Sequence, residues 1–204
     1  YNKGFLRSME KDAGTHSARS SNKVSVNIKL ATIEFISNGI PDWDQTFEDQ
    51  ENIFSLHRWG WLLMAAVEKP SIEIKQYGIK VMQDWFLKMS PTKWHQAWES
   101  YSISERIVNA LLFFYVLRDF NSRDEKALDL IETNLIRMAE RLMMNLEFHS
   151  ILTNNHILNN ARALYMLGRL SSCKALTNAG RSILKEETPK MITTLAVAFG
   201  VVFL

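Results

Sequence analysis

Amides, an imidazole and a guanidinium crowd into the stretch Thr153-Asn154-Asn155-His156-Ile157-Leu158-Asn159-Asn160-Ala161-Arg162-Ala163-Leu164-Tyr165. Asn favours caps and turns over helix interiors. Yet Ile157, Leu158, Ala161, Leu164 and Leu167 recur at helical spacing, so the segment is expected to be a helix with one apolar side. On it Asn155 and Asn159 lie one turn apart, as do His156 and Asn160. Two readings follow from the residues. Thr153 or Asn154 caps the helix and the other amides are solvated, or the amides and imidazole form a polar face turned toward a ligand.

A second concentration of chemistry is the connection Trp94-His95-Gln96-Ala97-Trp98-Glu99-Ser100-Tyr101, followed by Arg106. Connections are ordinarily polar. Rings at Trp94, Trp98 and Tyr101 therefore either stack on sugar faces at a cleft or plug the end of a helical core. His57 and Arg58 fall on an otherwise apolar helix, and His57 reads as a satisfied, partly buried histidine. His149 ends a helix, where the terminal dipole favours an imidazolium. Asp42, Asp44, Glu48, Asp49 and Glu51 read as a solvated charge run before a helix N-terminus.

Several chemistries have no support. There is no His-Glu-x-x-His and no Cys/His cluster, so no metal is expected; with 8 Gly and no Gly-x-Gly-x-x-Gly, no nucleotide cofactor is expected either. The single Cys173 cannot form an internal disulfide and reads as a small packed side chain. A net charge of +2 without a basic block argues against nucleic acid as a partner. The apolar run Ala196 to Leu204 is too short to cross a bilayer, which needs about 20 apolar residues. No membrane partner is expected, and the run reads as a buried or truncated segment.

The elements that must position these residues are helices. Apolar positions recur at three-and-four spacing from Asn52 to Lys69, from Ile72 to Met89, from Ile103 to Phe120, from Asp124 to Phe148, from Asn155 to Leu170 and from Leu176 to Ile192. Pro70 and Pro91 sit where helices should break. Before them, Val24, Val26, Ile28 and Leu30 alternate weakly, which suggests a short strand or extended arm, and Lys11 to Asn22 reads as a mobile loop. The expected fold is all-α, with an entry arm over residues 1–50 and a helical domain of paired hairpins over 51–204.

Taken in order, Trp94 to Asn109, Asn145-Leu146-Glu147-Phe148-His149, and Asn155-His156 with Asn159, Ala161 and Ala163 resemble the N-terminal helical domain of heparinase II/III-type polysaccharide lyases. Phe35 to Trp43 and Leu56-His57-Arg58-Trp59 are similar to that family's entry segment. The resemblance implies an incomplete (α/α) toroid and β-elimination at a uronic acid, with an acidic polysaccharide as partner and no cofactor. It implies Asn155 and His156 as the catalytic pair that neutralises the uronate carboxylate, and Trp94, Trp98, Tyr101, Arg106 and Asn159 as substrate-binding residues. It also implies a periplasmic or secreted location, although Tyr1 onward shows no signal peptide.

The family's acid-base Tyr lies about one helical hairpin beyond the Asn-His pair, and no Tyr follows Tyr165 here. The family's further His and β-sandwich are missing as well. The chain is therefore expected to be a fragment that binds substrate without turning it over. Two alternatives keep part of this pattern: a non-catalytic glycan-binding or surface-polysaccharide assembly protein, and a helical-repeat module whose groove binds a peptide.

Overall fold

A computed structural model describes residues 1–10, 24–89, 91, 95–121, 124–148 and 155–198, with side chains described as far as residue 192. Among these the chain is mainly helical: α1 (Gln50–Arg58), α2 (Gly60–Glu68), α3 (Ile72–Lys88), α4 (Ser100–Val116), α5 (Glu125–Met144), α6 (Asn155–Leu170) and α7 (Lys174–Ala198). The expected loop over Lys11 to Asn22, the caps at Thr153 and Asn154, His149, and the apolar tail beyond Ala198 lie outside the described residues.

Local chemistry accounts for most helix starts. Asp49 accepts from the Glu51 amide to open α1, Ser71 from Ile74 to open α3, Glu99 from Ser102 to open α4, and Asp124 from Ala127 to open α5. Pro70 directly precedes the Ser71 cap, as a helix boundary requires. The weakly alternating segment is a two-stranded antiparallel hairpin rather than a lone strand. β1 (Val26–Lys29) pairs with β2 (Glu34–Ser37) in the register Val26↔Ser37 to Lys29↔Glu34. Val26 and Ile28 face inward from β1 and are buried.

Helix α4 is central, touching α1, α2, α5 and α6. Its inward residues Ile103, Ile107, Ala110, Leu111 and Phe114 join Leu56, Leu62, Leu135, Ala161 and Leu164 in one hydrophobic core. Helices α6 and α7 approach each other closely. A methyl group added to Gly168 would lie 2.4 Å from the Thr177 backbone nitrogen, and one added to Gly180 would lie 2.5 Å from that of Tyr165. Glycine at these positions lets the two backbones touch.

The N-terminus docks on the same body. The amides of Gly4 and Leu6 donate to Glu132 at 2.6 and 2.7 Å, burying Phe5 and Leu6. Lys75 is buried on α3, where its ammonium meets Glu10 and the carbonyls of Leu117 and Phe120. Burial pushes its pKa down, and Glu10 opposes the shift. Among the described residues no helix is long and apolar enough to cross a membrane.

Candidate functional site

The segment expected as one helix from Asn52 to Lys69 breaks at Trp59, which stands in the left-handed region with φ 62°. A bulky residue is uncommon there. What holds it is visible in the last turn of α1. The carbonyl of Leu56 accepts from Trp61 Nε1 at 3.0 Å, that of His57 from Arg106 Nε at 2.6 Å, and that of Arg58 from Asn109 Nδ2 at 2.8 Å. Three carbonyls that a helix end leaves open are thus taken by side-chain donors, two of them from α4.

This placement corrects the expectation for Arg106. Its side chain is fully buried, its Nη2 donates to the Ala97 carbonyl at 2.6 Å, and its guanidinium lies 3.9 Å from the Trp85 ring centroid. It sits beneath the surface and is spent on backbone carbonyls and aromatic faces. Burial lowers its pKa to about 9, with Glu99 opposing, so it remains a cation at neutral pH. Trp98 is likewise committed to packing. Its half-buried ring lies 5.2 Å from Trp85 and 5.5 Å from the Arg141 guanidinium, packed against the edge of the core. Trp94 lies outside the described residues.

His57 is buried in the same aromatic cluster. Its Nδ1 accepts from Trp85 Nε1 at 3.0 Å, which assigns the proton to Nε2. Burial first, then Arg106 and His95, push its pKa down to about 2. It is a neutral structural histidine.

The residues that the structure does bring together are Tyr101 and His156. Tyr101 is in the first turn of α4 and His156 in the first turn of α6, and their ring centroids are 4.5 Å apart at 35°. The Arg58 guanidinium lies 4.7 Å from the Tyr101 ring and 4.9 Å from that of Phe54. Its edge is held by Ser102 Oγ at 3.1 Å, Glu99 at 3.3 Å and Glu51 at 3.5 Å. Glu147 places a carboxylate oxygen 3.4 Å from His156 Nδ1. One turn along, Arg162 pairs with Glu105 at 2.6 Å.

The asparagines of α6 divide into two kinds. Asn160 is buried and fully engaged: its Oδ1 accepts from the Glu147 amide, and its Nδ2 donates to the Ser100 carbonyl and to Ser104 Oγ. Asn155 is exposed and Asn159 half-buried. Among the described residues neither of their side-chain amides has a hydrogen-bond partner. The surface therefore offers two open amides, an imidazole and a half-exposed phenol, a donor-rich platform suited to a polar ligand with an apolar face. No group of three or more His, Cys, Asp or Glu that could hold a metal exists among the described residues.

Sequence reasoning gave site roles to Asn155, His156, Asn159 and Tyr101 but none to Arg58, Glu147 and Asn109. Arg58 carried a signal, a cation in the last turn of a helix just before Trp59-Gly60-Trp61. Glu147 and Asn109 carried none, because their roles depend on how the helices meet. Comparison of the chain with protein-family models, curated proteins and solved structures returns no match.

Proposed function

We propose that this chain is the helical, sugar-binding portion of a polysaccharide lyase of the heparinase II/III type, an incomplete (α/α) toroid acting on uronic-acid-containing glycans in the periplasm or outside the cell. The observation that carries the reading is the Tyr101–His156 ring pair at 4.5 Å, which joins two motifs far apart in sequence. In β-elimination the proton α to a carboxylate is removed, and the enolate that forms adds negative charge beside one already present. Hydrogen-bond donors aimed at that carboxylate lower the barrier. The open amide of Asn155 and the imidazole of His156 fill this role, Tyr101 offers a ring edge to the sugar, and Asn159 supplies a second amide.

A non-catalytic glycan-binding role on the same surface is the second reading. It is favoured by the pairing of both nearby guanidiniums, Arg58 with Glu99 and Arg162 with Glu105, which leaves recognition to the neutral amides.

The test is calorimetric titration of the purified chain with short uronate oligosaccharides. Binding is expected, and Asn155→Ala is expected to weaken it about tenfold or more, the worth of one hydrogen bond to a charged group. Absence of binding, or binding indifferent to Asn155→Ala, contradicts the proposal. No unsaturated uronyl product, followed by its absorbance, is expected from this chain alone under either reading. A product signal abolished by Tyr101→Phe would instead assign the proton-donor role to Tyr101.

A further inference from the structure

Glu147 belongs to no regular element; it lies just beyond the end of α5 at Met144. The chain there is nevertheless held from two sides. Ser100 Oγ donates to the Asn145 carbonyl, and Asn160 Oδ1 accepts from the Glu147 amide at 3.2 Å. Asn160 in turn donates to the Ser100 carbonyl and to Ser104 Oγ. The backbone of Glu147 is thus fixed against the N-terminal ends of α4 and α6, the helix starts that bear Tyr101 and His156.

The Glu147 side chain is only 21% exposed, and its Oε1 lies 3.4 Å from His156 Nδ1. Its Oε2 is shielded from solvent and, among the described residues, accepts no hydrogen bond. His156 Nδ1 is shielded as well, although the His156 side chain is 39% exposed. A shielded carboxylate short of donors is costly, which favours a proton on the facing Nδ1. At 3.4 Å the pair is longer than a closed hydrogen bond, and such contacts commonly tighten once a substrate is in place. The nitrogen that meets a ligand is then Nε2. His57 is the opposite case, with Nδ1 accepting from Trp85 and the proton on Nε2.

We infer that Glu147 is a positioning residue of this surface: it holds the His156 imidazole through an Nδ1 proton, so that His156 engages a uronate only as an imidazolium. With Nδ1–H given to Glu147, Nε2 becomes a donor to the sugar carboxylate after a second proton arrives from solvent. The cation is then shared by two carboxylates, Glu147 within the chain and the uronate outside it. Binding therefore takes up a proton. Around the ring stand Glu147 from the segment after α5, Tyr101 from α4 with Arg58 of α1 over its ring, and the Arg162–Glu105 pair joining α6 to α4. Of these, Glu147 is the group at ion-pair distance from the imidazole. The uronate part of the inference rests on the acidic-glycan reading; the placement of the Nδ1 proton does not.

Two measurements test it on the whole chain and on Glu147→Leu and Glu147→Gln, whose folding is checked by circular dichroism. Nitrogen-15 magnetic resonance of the imidazole rings gives each tautomer without any ligand, and His57 serves as the Nε2–H reference. The neutral His156 ring is expected as Nδ1–H in the unaltered chain and as Nε2–H, the form free histidine favours, in Glu147→Leu. An Nε2–H ring in the unaltered chain overturns the inference without recourse to any variant. Calorimetric titration with a short uronate oligosaccharide is then repeated between about pH 5 and pH 8. Affinity is expected to fall as pH rises, by up to about tenfold per unit for one coupled proton. The fall should be smaller in Glu147→Leu, whose Nε2–H ring donates without a second proton. Glu147→Gln keeps the side-chain length while removing the charge, and it should flatten the profile too should the leucine variant fail to fold. A profile as steep in the folded variants as in the unaltered chain overturns the inference. Absence of binding at every pH overturns the acidic-glycan reading and the uronate part with it, while the His156 tautomer still decides the role of Glu147.

Discussion

Two cationic clusters meet at the last turn of α1, and they differ in what surrounds the guanidinium. Arg106 is enclosed by Trp85, Trp59 and Trp98 and bound to two carbonyls. Arg58 is clamped between Phe54 and Tyr101 with one edge on carboxylates and part of its side chain in solvent. The first holds α4, the α1 end and the connection bearing Trp98 in one piece. The second sets the orientation of the Tyr101 ring against His156. A buried cation bound to backbone specifies the fold, while a half-exposed one beside open amides leaves chemistry available at the surface.

The sharpest way to break this contrast is to remove each cation. Arg106→Met should lower folding stability by about 2–6 kcal/mol in urea denaturation, because the carbonyls of His57 and Ala97 each lose a buried partner at about 1–3 kcal/mol. Arg58→Met should lower it by about 1 kcal/mol or less, as for partly exposed ion pairs. Equal losses would erase the distinction between the two clusters.

Acid titration probes the buried cluster next. His57 has a folded pKa of about 2 against 6.5 for a free histidine. Below pH 6.5 the unfolded chain binds a proton that the folded chain refuses, so stability should fall with pH by up to about 1.4 kcal/mol per unit. The unfolding midpoint measured from pH 7 to pH 4.5 should show this slope, and His57→Asn, with an amide oxygen able to accept from Trp85, should flatten it. A slope unchanged in the variant would assign acid sensitivity to other groups.

A smaller effect concerns how α6 is seated. Gly168→Ala pushes a methyl group against the α7 backbone and should lower stability by about 1–3 kcal/mol in thermal unfolding. The smallest effect belongs to the open surface, where Asn159→Ala should change stability by no more than about 0.5 kcal/mol while still weakening ligand binding.

The helices were legible because their apolar periodicity and caps are local, and α6 starts and ends where the residues said it would. The break at Trp59 was not legible, since three donors that favour it, Trp61, Arg106 and Asn109, act through tertiary contacts that no spacing announces. The candidate site was read in part for the same reason. Asn155, His156 and Tyr101 stood out by residue type, but nothing local distinguished Asn159, open, from Asn160, buried and saturated. Arg106 was misplaced because a conspicuous cation near aromatic residues suits a binding groove and a sealed core equally well until burial is known.

Nuclear magnetic resonance mapping of a short uronate oligosaccharide onto the chain shows directly which surface takes the sugar. The largest shifts on titration are expected on the His156 ring, the side-chain amides of Asn155 and Asn159, and the Tyr101 ring, while the Trp85 and Arg106 resonances of the buried cluster stay in place. Shifts confined to other parts of the molecule, or none at millimolar oligosaccharide, would contradict it.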